Sequence, residues 1–127
     1  MILVDSDVLI AHLRGVPAAG DWLTDARRRT GPLAVSVVSV AEITGGMRSG
    51  ERREVTRLLD SLQSLAVDDA VARRGGELRR RFRRSHAAIG IADYLIAATA
   101  QTHGCELATL NVRHFPMFDD LAAPFAV

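Results

Sequence analysis

The sequence predicts an α/β domain, with a mostly parallel central sheet covered by helices on both faces. Three observations predict it. Short apolar runs alternate along the chain with longer stretches of helical periodicity. The short runs are near-continuous in Ile, Leu, Val and Ala, as in strands buried on both faces. No linker, repeat or low-complexity stretch interrupts the alternation, so residues 1–127 read as a single domain.

The elements follow in order. Ile2-Leu3-Val4 is a short buried strand. Asp7 to Leu13 reads as a helix stopped by Gly15. Pro17 to Arg29 is a second helix, with proline in the first turn, where its missing N–H costs nothing. Trp22, Leu23 and Ala26 form its apolar stripe, and Gly31-Pro32 ends it. Leu33 to Val37 is apolar and partly β-branched, hence a strand. Ser39 then fits a helix N-cap, with Glu42 at capping-box spacing, and this helix runs to about Met47. Glu51 to Leu65 is strongly helical, with Val55, Leu58, Leu59 and Leu62 on one face, and a short strand is expected at Ala66-Val67. Asp69 to Arg84 is helical, with Gly75-Gly76 expected to divide it. Gly90 precedes an apolar helix from Ile91 through Ala100 that ends at Gly104. Glu106 to Thr109 is a strand, Asn111 to Phe118 is irregular, and Pro124 to Val127 is expected as a last edge strand.

Composition narrows the class. The chain is 48% hydrophobic and 24% charged, which supports a packed core and excludes disorder. The single cysteine, Cys105, excludes an intrachain disulfide framework and a Cys-rich zinc site, and fits a reducing cytoplasm. No apolar run approaches the roughly 18 residues of a membrane span. No basic region precedes the first apolar run, as a signal peptide would have. The net charge of +1 selects no partner, but all sixteen basic residues are arginine.

Three carboxylates carry the chemistry. In sheets of this kind ligands bind beyond the carboxyl ends of the strands. Asp5 follows the first strand, Glu42 lies in the helix after the second, and Asp93 opens the apolar helix after Gly90. Either of the last two alone would be explained as a helix cap or dipole partner. Three on one rim repel one another, and no lysine is present to neutralise them. A hard divalent cation with oxygen ligands, such as Mg²⁺, answers that repulsion. It also orients water and stabilises charge on a phosphoryl oxygen, so the pocket suits phosphodiester hydrolysis.

The stretches LVDSDVLIAHL, VVSVAEITGGM, GIADYLIAATA and LATLNVRHFPMF, in that order, resemble the PIN-domain family, and within it the VapC-type toxins of bacterial toxin–antitoxin pairs. The resemblance covers essentially the whole chain. It implies a compact α/β/α sandwich and an endoribonuclease dependent on Mg²⁺ or Mn²⁺. It makes Asp5, Glu42 and Asp93 the catalytic acids, Asp5 and Asp93 direct metal ligands, and Glu42 a ligand through water or the group that activates it. Ser6 would hydrogen-bond Asp5 or a phosphate, and Asn111 would arrange waters or the acidic cluster. It further implies a small VapB-like antitoxin, a homodimer, and an RNA substrate. Many relatives carry a fourth acid in the last motif, where this chain has Asn111 and His114. His114 is left to contact a phosphate, act as a weak acid, or pack. Asp7 either adds to the pocket or caps the first helix.

An acidic pocket repels RNA, so a nuclease needs positive charge around it. Arg73, Arg74, Arg79, Arg80, Arg81, Arg83 and Arg84 lie along one helix, where a solvated face would look the same. Two rival readings exist. LVDSDV fits the opening of a haloacid-dehalogenase-type phosphatase, with Asp5 as nucleophile, but those enzymes use a basic residue, nearly always lysine, and this chain has none. A catalytically impaired PIN-like module that only binds RNA or a partner is the other: the missing fourth acid keeps it open, and the presence of all three main carboxylates argues against it.

Overall fold

The computed structural model describes residues 1–126. At its centre are four short strands, β1 (Ile2–Val4), β2 (Ala34–Ser36), β3 (Gln63–Leu65) and β4 (Glu106–Ala108). They are all parallel and lie in the order β3-β2-β1-β4. Around them lie α1 (Ser6–Leu13), α2 (Pro17–Thr30), α3 (Val37–Gly46), α4 (Arg52–Asp60), α5 (Asp69–Phe82) and α6 (Ile91–His103). This is the expected three-layer α/β/α sandwich.

The two-residue period of a strand sorts the core into two layers. Ile2, Val4, Val35 and Ala108 pack with Val8 and Leu9 of α1, Leu23 of α2, Ile43 of α3 and Val55 of α4. Leu3, Ala34 and Leu107 point the other way, onto Val71 and Leu78 of α5 and Tyr94 and Ile96 of α6. Three-residue strands have little ladder to hold them, so this burial, about 1.5–3 kcal/mol per large apolar side chain, carries the sheet.

The topology fixes where a site belongs. From β1 to β3 the chain moves one way across the sheet, and then it crosses to the far side of β1 to form β4. Right-handed crossovers place α1–α4 on one face and α5–α6 on the other. The direction reverses between β1 and β4, and a crevice opens there beyond the carboxyl ends of the strands.

Several boundaries differ from the sequence reading. Helix α3 starts at Val37, and its cap is Ser36, whose hydroxyl accepts from the Val38 N–H at 3.1 Å. Strand β2 runs straight into the helix, so the cap falls on the last strand residue. Ser39 lies inside the first turn, its hydroxyl buried without a partner, and Glu42 sits in the second turn rather than at a capping-box position. Helix α4 ends at Asp60, and the third strand is Gln63–Leu65, not Ala66-Val67. Pairing with β2 overrides the helical pattern there, because backbone groups beside a sheet need its ladder bonds.

Helix α5 runs unbroken through Gly75-Gly76. Gly75 marks close packing instead: a Cβ there would lie 2.9 Å from Leu95 Cδ2 of α6. The expected edge strand Pro124 to Val127 does not form over 124–126, where Phe125 packs against the first core layer, and Val127 lies outside the described residues. The apolar faces of α1 and α4 are largely used by that core. Among the described residues, no helix is long and apolar enough to cross a membrane.

Candidate active site

The site assembles at the β1–β4 reversal. Register pairs Val4 with Ala108, so the next residues, Asp5 and Thr109, leave the sheet side by side. The Asp5 N–H donates to the Ala108 carbonyl at 2.9 Å, which extends the pairing. The Asp5 carboxylate caps α1, accepting from the Ser6 N–H at 2.8 Å, and its other oxygen accepts from the Thr109 hydroxyl at 2.8 Å.

Asp7 lies one residue into α1 and grips the end of β4. Its Oδ2 accepts from the Leu110 N–H at 3.0 Å and lies 3.2 Å from the Thr109 hydroxyl. Its Oδ1 is buried with no partner. Asp5, not Asp7, is therefore the helix cap, and Asp7 belongs to the pocket wall. Thr109 has one proton for two carboxylates, and its oxygen also accepts from the Asn111 N–H at 3.1 Å.

Two further acids complete the rim. The Ser6 hydroxyl donates to Glu42 Oε1 at 3.3 Å, linking α1 to α3. Ser6 thus serves Asp5 through its amide and Glu42 through its hydroxyl. Asp93, in the first turn of α6, has its Oδ2 2.9 Å from His114 Nδ1, which a 3-10 turn (Val112–His114) delivers after β4. Asn111 contributes its backbone to this network and leaves its side chain exposed. The sequence reading missed Thr109. The available signal was its position, the first polar residue after β4, matching Asp5 after β1.

The electrostatics are those of crowded like charges. Burial pushes the Asp5 carboxyl up to about 7, the Asp7 charge adds to it, Thr109 and Ser6 oppose it, and Asp93 adds a smaller push. Burial also raises Asp7, against the hydrogen bonds from Leu110 and Thr109. Burial raises Glu42 too, with Ser6 opposing and Asp93 and Asp7 contributing. Among the described residues, the ion pairs involve neither Asp5, Asp7 nor Glu42. The side chains do not already close on one centre: no group of three or more His, Cys, Asp or Glu is arranged to hold a metal among the described residues. The donor set still fits a hard cation. It consists of carboxylate oxygens, it includes an orphaned buried oxygen on Asp7, and among the described residues Asp5, Asp7 and Glu42 have no cationic partner. Mg²⁺ needs only one or two direct carboxylates and keeps waters for the rest.

A model of the PIN domain matches residues 2–122. The chain belongs to the PIN-domain family. Over its full length this PIN domain is 65% identical to ribonuclease VapC10 of Mycobacterium tuberculosis, 95% of which is covered. It is 40% identical to ribonuclease VapC19 of the same species over 98% of this chain and all of that one. Among solved structures, a toxin–antitoxin complex from Klebsiella pneumoniae superposes with a TM-score of 0.80 at 25% identity, covering both chains completely. These matches make the chain a VapC-type PIN domain.

Proposed function

We propose that this PIN domain is a metal-dependent endoribonuclease, the toxin of a toxin–antitoxin pair, that hydrolyses RNA phosphodiester bonds. One observation carries the reading: Asp5, Glu42 and Asp93, with Asp7 behind them, gather at the sheet's reversal point with no cationic side chain bonded to Asp5, Asp7 or Glu42.

Asp5 and Asp93 would hold Mg²⁺ or Mn²⁺, and Glu42 would act through water. When bound, such an ion supplies a water of lowered pKa and charge stabilisation on a phosphate oxygen. The chain's own residues do the rest. Asp5 is fixed by the Ser6 amide and the Thr109 hydroxyl, so its position is set before substrate arrives. Glu42 is exposed at the rim with a raised pKa, which makes it a better acceptor for the proton of the attacking water. The Ser6 hydroxyl holds that carboxylate in place, and the exposed Asn111 side chain is free to meet RNA or water. A VapB-like antitoxin covers the toxin and places an arginine near the acids, and two copies of the toxin pair as a homodimer. The pair works in the cytoplasm. These partner roles follow the resemblance to VapC-type toxins, and the toxin–antitoxin complex among its structural neighbours supports the first of them.

The test is cleavage of total cellular RNA by antitoxin-free protein, with Mg²⁺ or Mn²⁺, with EDTA, and with D93N. Discrete metal-dependent cuts that vanish in D93N are expected. Cuts that persist in EDTA or in the variant would overturn the assignment.

A further inference from the structure

We infer that the C-terminal end of α5 is a phosphate-binding surface that holds the RNA strand beside the acidic pocket; this rests on the nuclease reading above. Arg79, Arg80, Arg81, Arg83 and Arg84 are all exposed there. The arginines of α5 fall into two groups. Arg73 pairs with Asp69 at 2.7 Å, and Arg74 with Glu77 at 3.6 Å and with the Gln101 side chain at 2.9 Å. Among the described residues, the five later arginines make no ion pair. Arg81 stacks over the Phe82 ring, 5.4 Å from its centroid. The first half of the helix therefore neutralises itself, while its C-terminal end and the two arginines just past it carry free charge. A helix C-terminus favours cations by a few tenths of a kcal/mol within its last turn, which one or two arginines would supply. Five exceed that need.

The location completes the argument. α5 and α6 are consecutive and packed tightly, with Gly75 seated against Leu95. The short connection 83–90 folds back through the His86 N–H to Phe82 carbonyl bond, so the end of α5 lies beside the start of α6. Asp93 sits in that first turn. A chain of net charge +1 thus concentrates unpaired cations beside the helix turn that carries Asp93. A polyanion whose scissile phosphate must enter a carboxylate pocket needs its flanking phosphates held by such a surface. Guanidinium groups suit that task and read no sequence.

The experiment measures binding of a labelled single-stranded RNA by fluorescence anisotropy across a salt series, in a D93N background to prevent cleavage. R80Q/R83Q/R84Q is compared with R28Q/R52Q/R53Q, a charge-matched control on exposed positions of α2 and its neighbour α4 in the other layer. The patch variant is expected to flatten the slope of log affinity against log salt by about two, at roughly 0.7 per lost phosphate contact, and to weaken all RNA sequences alike. The control is expected to keep the parent slope. Equal slopes for the two triple variants, or no RNA binding by the D93N parent, would overturn the proposal. So would loss of binding to an acidic peptide with RNA binding intact, which would assign the patch to a protein partner. Metal-dependent cleavage by the wild-type chain tests the nuclease reading separately, so either can fail alone.

Discussion

Asp5 and Asp93 stand on one rim in opposite circumstances. Asp5 is 5% exposed, fixed at both oxygens by a backbone amide and a hydroxyl, and pushed up to about 7. The Asp93 side chain is 24% exposed and rests on one imidazole. The sheet builds the first position: register and a helix cap leave the carboxylate no other place. A loop residue holds the second. The contrast separates an anchor, whose charge opposes folding until it is neutralised, from a carboxylate that can adjust.

The largest effect should separate the two acids by isosteric neutralisation. D5N and D93N are both expected to abolish metal-dependent cleavage. They should differ in stability. In D5N the amide oxygen still accepts from Ser6, the amide N–H₂ faces Thr109, and the Thr109 proton becomes free for Asp7. Metal-free D5N should therefore melt at least about 5 °C above wild type near neutral pH. D93N should melt close to wild type. Equal shifts in thermal melts of the two variants would erase the distinction.

The pH dependence sharpens the same contrast. A carboxyl raised from 3.8 to about 7 binds its proton more tightly in the folded state than in the unfolded one. The stability it contributes is complete below the unfolded value and disappears as pH rises through about 7. The difference is of order 4 kcal/mol at full ionisation. Melts in EDTA should therefore fall between about pH 4 and 7, the interval from the unfolded to the folded value, and the D5N profile should be flatter. Mn²⁺ at the alkaline end should restore the wild type and leave D5N nearly unmoved.

Thr109 is the next test, because it belongs to the anchor alone. T109V keeps the shape and removes the hydroxyl between Asp5 and Asp7, leaving two buried carboxylate oxygens short of a donor. A loss of about 1–3 kcal/mol in urea titrations is expected. A double-mutant cycle with D5N measures the coupling of the two side chains, and a coupling different from zero is expected because they share one hydrogen bond.

The same contrast explains what was legible in the sequence. Asp5, Glu42 and Asp93 stand out in the sequence because Asp5 follows a strand, Glu42 lies in the helix after one, and Asp93 opens an apolar helix. Layering was legible in the strands' continuous apolar character. What was hidden depends on pairing between distant segments. Thr109 became visible only once register set it beside Asp5. Gly75 looks like a breaker in isolation and proves to be a contact point for Leu95. Ser36 reads as strand until β2 is seen to run directly into α3, which moves the cap from Ser39 and places Glu42 a turn deeper. Gln63-Ser64 is polar and reads as helix, and only the β2 ladder makes it a strand.

His114 makes the smallest prediction. It stands in the last motif, three residues after Asn111, and here its Nδ1 sits 2.9 Å from Asp93. An aspartate in the first turn of α6 is also well placed to turn back on the free N–H groups of its own helix, since Gly90 offers no capping side chain. The imidazole holds it toward β4 instead. H114A should release Asp93 to the helix end and weaken Mn²⁺ binding about 10- to 100-fold in calorimetry, the usual range for removing a group that orients a ligand. H114N keeps a donor and should recover part of that loss. H114D supplies the acid instead: it should bind Mn²⁺ more tightly than H114A while making the metal-free protein less stable, because the new charge lies beside Asp93 with no proton to share. If H114A binds Mn²⁺ as wild type does, Asp93 is held by its helix alone, and the contrast between the two acids reduces to depth of burial.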